Sequence, residues 1–150
     1  MYIHNPAEFE AVIGKAVAAA LGDVIDDCEK MVMKQIEEDI YGKGGSDWYN
    51  RTHELTQAWT TIKSKLTVIL REDSSVITSN PDMWQHGSNI GGGTDVSGYI
   101  LHMMNDGFRD ALNWGVGNPR PFWTNFMQDF KSQGRTMIKN ALRAHGLNVK

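Results

Sequence analysis

From Phe9 to Ile40 apolar residues recur at a helical spacing over roughly nine turns, and no other pattern in the sequence restricts the fold as strongly. Asn5-Pro6 opens this run as an N-cap followed by proline at the first helical position, where the missing N–H costs nothing. The stripe runs Phe9, Val12/Ile13, Ala16/Val17, Ala20/Leu21, Val24/Ile25, Cys28, Met31/Val32, Ile36 and Ile40, and Gly42 ends it. A helix of that extent is roughly 50 Å long at ~1.5 Å per residue. One compact domain of this size does not need such a length to cross its own core. Part of the helix is therefore expected to meet a partner, unless Gly14 or Gly22 bends it.

The other end of the chain carries a second helical pattern. Pro119 and Pro121 terminate what precedes and prepare a start. Phe122/Trp123, Phe126/Met127, Phe130, Met137/Ile138 and Ala141/Leu142 then mark an apolar face, with Gly146 as the stop. Between the helices, YGKGGSDW at 41–48 reads as a glycine-rich connection, and 52–59 as a short helix. Ile62, Leu66, Val68 and Leu70 approximate the alternation of a half-buried strand over 60–70. Glu72-Asp73-Ser74 is expected to turn the chain into a return strand over 75–79, giving a hairpin. Residues 99–104, YILHMM, fit a strand or a short helix. HGSNIGGGTDVSG at 86–98 holds too many glycines and too few apolar anchors to pack, and reads as a mobile surface loop. The predicted class is α+β: a long N-terminal helix, a small antiparallel β-sheet and a long C-terminal helix.

Composition sets the outer bounds. At 150 residues, with 41% hydrophobic and 22% charged side chains, the expectation is one folded domain over 1–150. No apolar run approaches the ~20 residues that span a bilayer, and the N-terminus lacks the basic-then-apolar pattern of a signal peptide. No membrane association is expected. Cys28 is the only cysteine, which excludes an internal disulfide and fits a reducing cytoplasm.

The net charge of −3 conceals a polarity. Residues 1–40 hold nine acids and three bases, whereas 131–150 hold five bases and no acid. Lys131, Arg135, Lys139 and Arg143 recur every four residues, which aligns them on one row of the last helix. Cations there complement the helix dipole. The same row can face an acidic protein or nucleic-acid phosphate, and opposite-sign ends can steer copies together head to tail.

Sites for chemistry are sparse. Gly91-Gly92-Gly93-Thr94 lacks the lysine of a phosphate-binding loop. His53, His86, His102 and His145 have no metal-ligand spacing, and no nucleophile elbow is present. Cys28 lies on an apolar stripe, where burial is the expected fate. Asp106 and Asp110 can share a helical face, but nothing completes an acid/base site. No cofactor, metal or catalytic residue is expected. The five tryptophans are the more informative group, since tryptophan is enriched at the buried centres of protein interfaces.

Two segments carry a family resemblance. Tyr49-x-Arg51-Thr52-x-x-Leu55-x-x-Ala58-Trp59 resembles the Y-x-R-T-G-x-L-x-x-S segment of the small minor-tail or tail-completion (neck) proteins of long-tailed bacteriophages. Asn118-Pro119-Arg120-Pro121-Phe122-Trp123 resembles the P-R-P-F run that leads into their last helix. The order of long helix, small sheet and C-terminal helix also agrees, from about residue 5 to residue 145. His53 stands where the family most often has glycine, Ala58 where serine is common, and 82–114 is longer and richer in glycine.

The resemblance implies a non-enzymatic virion protein at the head–tail junction, present in the host cytoplasm during assembly. It implies a homo-oligomeric ring that contacts tail terminator, tail tube or head-closure proteins and meets nucleic acid only as DNA passing through the connector. Arg51 and Thr52 would form a structural turn motif. The interface candidates are Trp48, Tyr49, Arg51, Trp59, Arg120, Trp123 and the basic row Lys131, Arg135, Lys139 and Arg143, together with the 86–98 loop. The rival reading is a small nucleic-acid-binding regulator that uses the basic row.

Overall fold

The computed structural model describes residues 5–42, 54–76, 100–106 and 119–149. It is an α+β fold with a long N-terminal helix, a two-stranded antiparallel sheet and a long C-terminal helix. The chain divides into two compact units. One gathers Met1–Met31, Thr60–Arg71 and Met127–Lys150, the other Val32–Trp59 and Glu72–Phe126.

In the first unit, helix α1 (Pro6–Ile36) starts as the sequence predicts. The Asn5 side-chain oxygen accepts from the Glu8 N–H at 2.9 Å, satisfying one of the orphan donors of the first turn. The helix runs through Gly14 and Gly22 without interruption. Ala20, Val24, Ile25 and Cys28 form its buried stripe. Phe9, expected on that stripe, is 53% exposed.

The hairpin departs from the sequence reading. Residues 60–70 are not one strand: β1 (Trp59–Ser64) and β2 (Thr67–Glu72) are joined by a two-residue turn at Lys65-Leu66. Where a return strand was expected, Ser74–Val76 is a 3₁₀ turn, and 77–79 lie outside the described residues. Asp73 does supply the turn chemistry read at 72–74, accepting from the Ser75 N–H at 3.2 Å and its hydroxyl at 2.5 Å. It acts after the second strand instead of between the two.

The last helix, α4 (Phe122–Ala144), contributes its C-terminal part to this unit. It stops at Gly146, whose φ of 82° is a left-handed conformation. Gly146 N–H donates to the Arg143 carbonyl at 3.0 Å and Leu147 N–H to the Leu142 carbonyl at 2.9 Å, the paired bonds of a Schellman cap.

In the second unit the end of α1 packs through Val32 and Ile36, after which Glu37–Tyr41 widen into a single π-helical turn. Gly42 closes it with a 2.6 Å bond from its N–H to the Glu37 carbonyl. A Cβ at Gly42 would lie 2.9 Å from the Glu38 carbonyl oxygen, so the close backbone approach requires glycine. The short helix expected within 52–59 is α2 (Glu54–Gln57), and α3 (Ile100–Asp106) is the helical one of the two alternatives for 99–104. Ile40, Leu55, Ala58, Trp59, Leu101, Phe122 and Phe126 complete this core. Full burial of a side chain such as Phe122 contributes about 1.5–3 kcal/mol.

Candidate functional site

The Pro119-Arg120-Pro121-Phe122-Trp123 run builds the start of α4 in the second unit. Proline at 121 offers no side-chain acceptor, so the cap comes from elsewhere. Asn105 of α3 accepts from the Trp123 N–H at 3.0 Å and the Thr124 N–H at 3.3 Å, while the Phe122 N–H reaches the Arg120 carbonyl at 2.7 Å. The Arg120 guanidinium donates to the Ile40 carbonyl in the π turn. Buried Asp39, from the same turn, accepts from the Asn125 amide at 2.7 Å. Arg120 therefore ties backbone to backbone inside this unit.

An aromatic cluster lies beside this cap. Trp59 stacks on Trp123 with ring centroids 5.4 Å apart and planes 7° from parallel, and Phe122 meets Trp59 edge-on at 6.4 Å. Phe126 lies 5.0 Å from Trp123. Trp59 is buried, whereas Trp123 keeps 36% of its surface exposed.

Trp59 and Glu72 share a cross-strand position. The 2.7 Å bond from the Asp73 N–H to the Ala58 carbonyl and the two-residue turn fix the register, which pairs 59 with 72 and 62 with 69. Trp59 Nε1 and Glu72 Oε1 are buried without a hydrogen-bond partner among the described residues. Burial pushes the Glu72 carboxyl above its ordinary range, an effect that the charge of His102 partly opposes.

The outer face of the hairpin, in the first unit, sets two exposed isoleucines among Thr60, Ser64, Thr67 and Arg71. Ile62 and Ile69 lie opposite each other and are 41% and 47% exposed; Leu66 at the tip is 61% exposed. The other face carries Thr61, Val68 and Leu70, which are half-buried. Of the residues read as one alternating stripe, Ile62 thus faces out and Val68 and Leu70 face in, because the chain reverses between them.

Charge in this unit is unevenly compensated. Lys63 Nζ lies 2.6 and 2.7 Å from the two carboxylate oxygens of Asp26, His145 lies 2.8 Å from Asp23, and Lys30 pairs with Asp27 at 3.2 Å. Lys131, Arg135 and Lys139 make no ion pair among the described residues, and Arg143 donates to the Val149 carbonyl at 3.0 and 3.3 Å. Cys28 is buried, and its thiol is pushed up by burial and by neighbouring Asp27. Such a thiol is a poor nucleophile at neutral pH.

The sequence-predicted interface residues are thus spread over both units. Trp59, Arg120 and Trp123 come together in the second, and the basic row lies on α4 in the first. Trp48, Tyr49, Arg51, Thr52 and the 86–98 loop lie outside the described residues. Sequence reasoning missed the Asn105 cap and the exposed Ile69; the pairing of Ile69 with Ile62 follows only from the turn position. Among the described residues no group of three His, Cys, Asp or Glu can hold a metal, and no helix is long and apolar enough to cross a membrane. No family model, curated protein or solved structure matches the chain.

Proposed function

We propose that this chain is a non-enzymatic assembly subunit, a tail-completion or neck protein of a tailed bacteriophage that works as a ring of copies at the head–tail junction. The observation that carries the proposal is the hairpin, where Ile62 and Ile69 on the outer face and Leu66 at the tip stay exposed on a sheet of two strands among the described residues. Apolar side chains gathered on one exposed face mark a protein contact more often than scattered ones do. Among the described residues no further strand pairs with this sheet, and an unpaired edge is a place where a neighbouring strand can align.

The resemblance of the 49–59 and 118–123 segments supports the phage reading, and the last residue of the second, Trp123, is a partly exposed aromatic. Tail terminator, tail tube and head-closure proteins are the partners this reading names. The virion is its location, reached from the host cytoplasm.

Single-particle imaging of the purified protein, alone and mixed with tail proteins, tests the proposal. Closed rings, or a stable complex with a tail protein, are expected. A strict monomer that joins no tail protein overturns it.

A further inference from the structure

We infer that the solvent face of α4 binds the phosphate backbone of a nucleic-acid duplex. Two adjacent rows make up that face. Lys131, Arg135, Lys139 and Arg143 form one, and Ser132, Thr136 and Asn140 the other; all are exposed except Lys139, which is half-exposed. No acid occurs from Phe130 to the end of the chain. The surface therefore offers ammonium, guanidinium, hydroxyl and amide donors along about 18 Å of helix. Phosphate oxygens are acceptors only, and a duplex backbone repeats them along such a length.

Engaged aspartates on α1 distinguish this occupant from a second copy of the chain. Asp23, Asp26 and Asp27 of α1 already pair with His145, Lys63 and Lys30, and Glu38 pairs with Lys34 at 3.6 Å. Lys30 and Lys34 are already two of the three bases counted in residues 1–40, so these pairs engage individual carboxylates but leave most of the acidic excess of that segment in place, while Lys131, Arg135 and Lys139 make no ion pair among the described residues. A second copy would therefore present carboxylates of which Asp23, Asp26 and Asp27 are already engaged, whereas a duplex presents an uninterrupted row of phosphates.

An acidic protein fits less well for a different reason. Protein interfaces centre on an apolar or aromatic core, and on α4 from Phe130 onward one large apolar side chain is exposed, Ile138 at 37%. Nucleic-acid interfaces are more polar and far more positive. The inference rests on this face alone and holds whether or not the protein forms a connector.

The test is fluorescence anisotropy of the full chain with a labelled 30-base-pair duplex of arbitrary sequence, titrated between 50 and 200 mM salt. Three phosphate contacts predict a log–log slope near −2.7, about a 40-fold loss of affinity across that range. The triple variant K131Q/R135Q/K139Q should lose the binding and its salt dependence while keeping its helical circular dichroism. K15Q, on the opposite end of the chain, should leave both unchanged. Absence of duplex binding at 50 mM salt overturns the inference, as does a triple variant that binds with the parent's slope. Equal affinity for poly-glutamate, lost in the same variant, also overturns it in favour of an acidic protein partner. Ring formation is read separately, so a protein that forms rings without binding duplex refutes this inference and leaves the assembly proposal standing.

Discussion

Replacing Asn105 with alanine removes the only side-chain acceptor that the described residues supply to the start of α4. Two N–H groups, those of Trp123 and Thr124, lose their partner at 3.0 and 3.3 Å, and the helix dipole loses the oxygen at its positive end. Loss of an N-cap costs about 1 kcal/mol, within a range of about 0.5–2. The exposed position lets water take over some of the bonding, which argues for the middle of that range. The side chain is also the tie from α3 to α4, so a value below the range is not expected. With an unfolding entropy of about 2.1 cal/mol/K per residue, 1 kcal/mol corresponds to a fall of about 3 °C in Tm for a chain of this size. Asn105→Asp gives an internal comparison. The carboxylate accepts the same two bonds but gives up the 2.6 Å donation from the Asn105 amide to Asp106 and sets two acids side by side. It should lie between wild type and the alanine variant. Thermal melts of the three proteins, followed by circular dichroism, decide the matter. An alanine variant that melts with wild type would refute the cap, as would an aspartate variant that is the least stable of the three.

Substitutions at two further positions probe the backbone and the buried carboxyl. Gly146→Ala meets no atom within 4 Å, so its cost is the left-handed backbone alone, about 1 kcal/mol, and Gly146→Asn should cost less in the same melts. Glu72 has a folded-state pKa above its ordinary value, because burial disfavours the charged carboxylate. Its stabilising contribution is complete below the ordinary glutamate range and is lost as pH rises through the raised value. Glu72→Gln should therefore flatten the fall of stability from acid to neutral pH, read as Tm against pH. An unchanged slope would show that Glu72 is not the titrating group.

The ends of the elements were legible in the sequence where a single residue type does the capping. Asn5-Pro6 and Gly146 act locally, through bonds to residues within a few positions, and both do what the sequence implies. The hairpin turn was not legible, because Lys65-Leu66 contains none of the residues that signal a turn, whereas Glu72-Asp73-Ser74 does. Arg120 illustrates a different gap. As part of a motif it read as an interface cation, yet its guanidinium serves the carbonyl of Ile40, a pairing across 80 residues that no spacing rule exposes. The same holds for Asp23 with His145, a pair 122 residues apart. The basic row needed no tertiary information, since an i, i+4 repeat on a helix stays together wherever the helix packs.

Assembly as proposed depends most on the outer hairpin face being a protein contact. Ile62, Ile69 and Leu66 are each about half exposed, so completing their burial is worth about 1 kcal/mol apiece and about 3 kcal/mol together. That corresponds to roughly a hundredfold in association. The most direct measurement is the mass of the wild type and of an I62K/I69K variant in solution, each alone and with tail proteins, at matched micromolar concentrations. A wild type that assembles and a folded variant that shifts to monomer are expected. A variant that assembles as wild type does would contradict the proposal, and so would a wild type that stays monomeric under every condition.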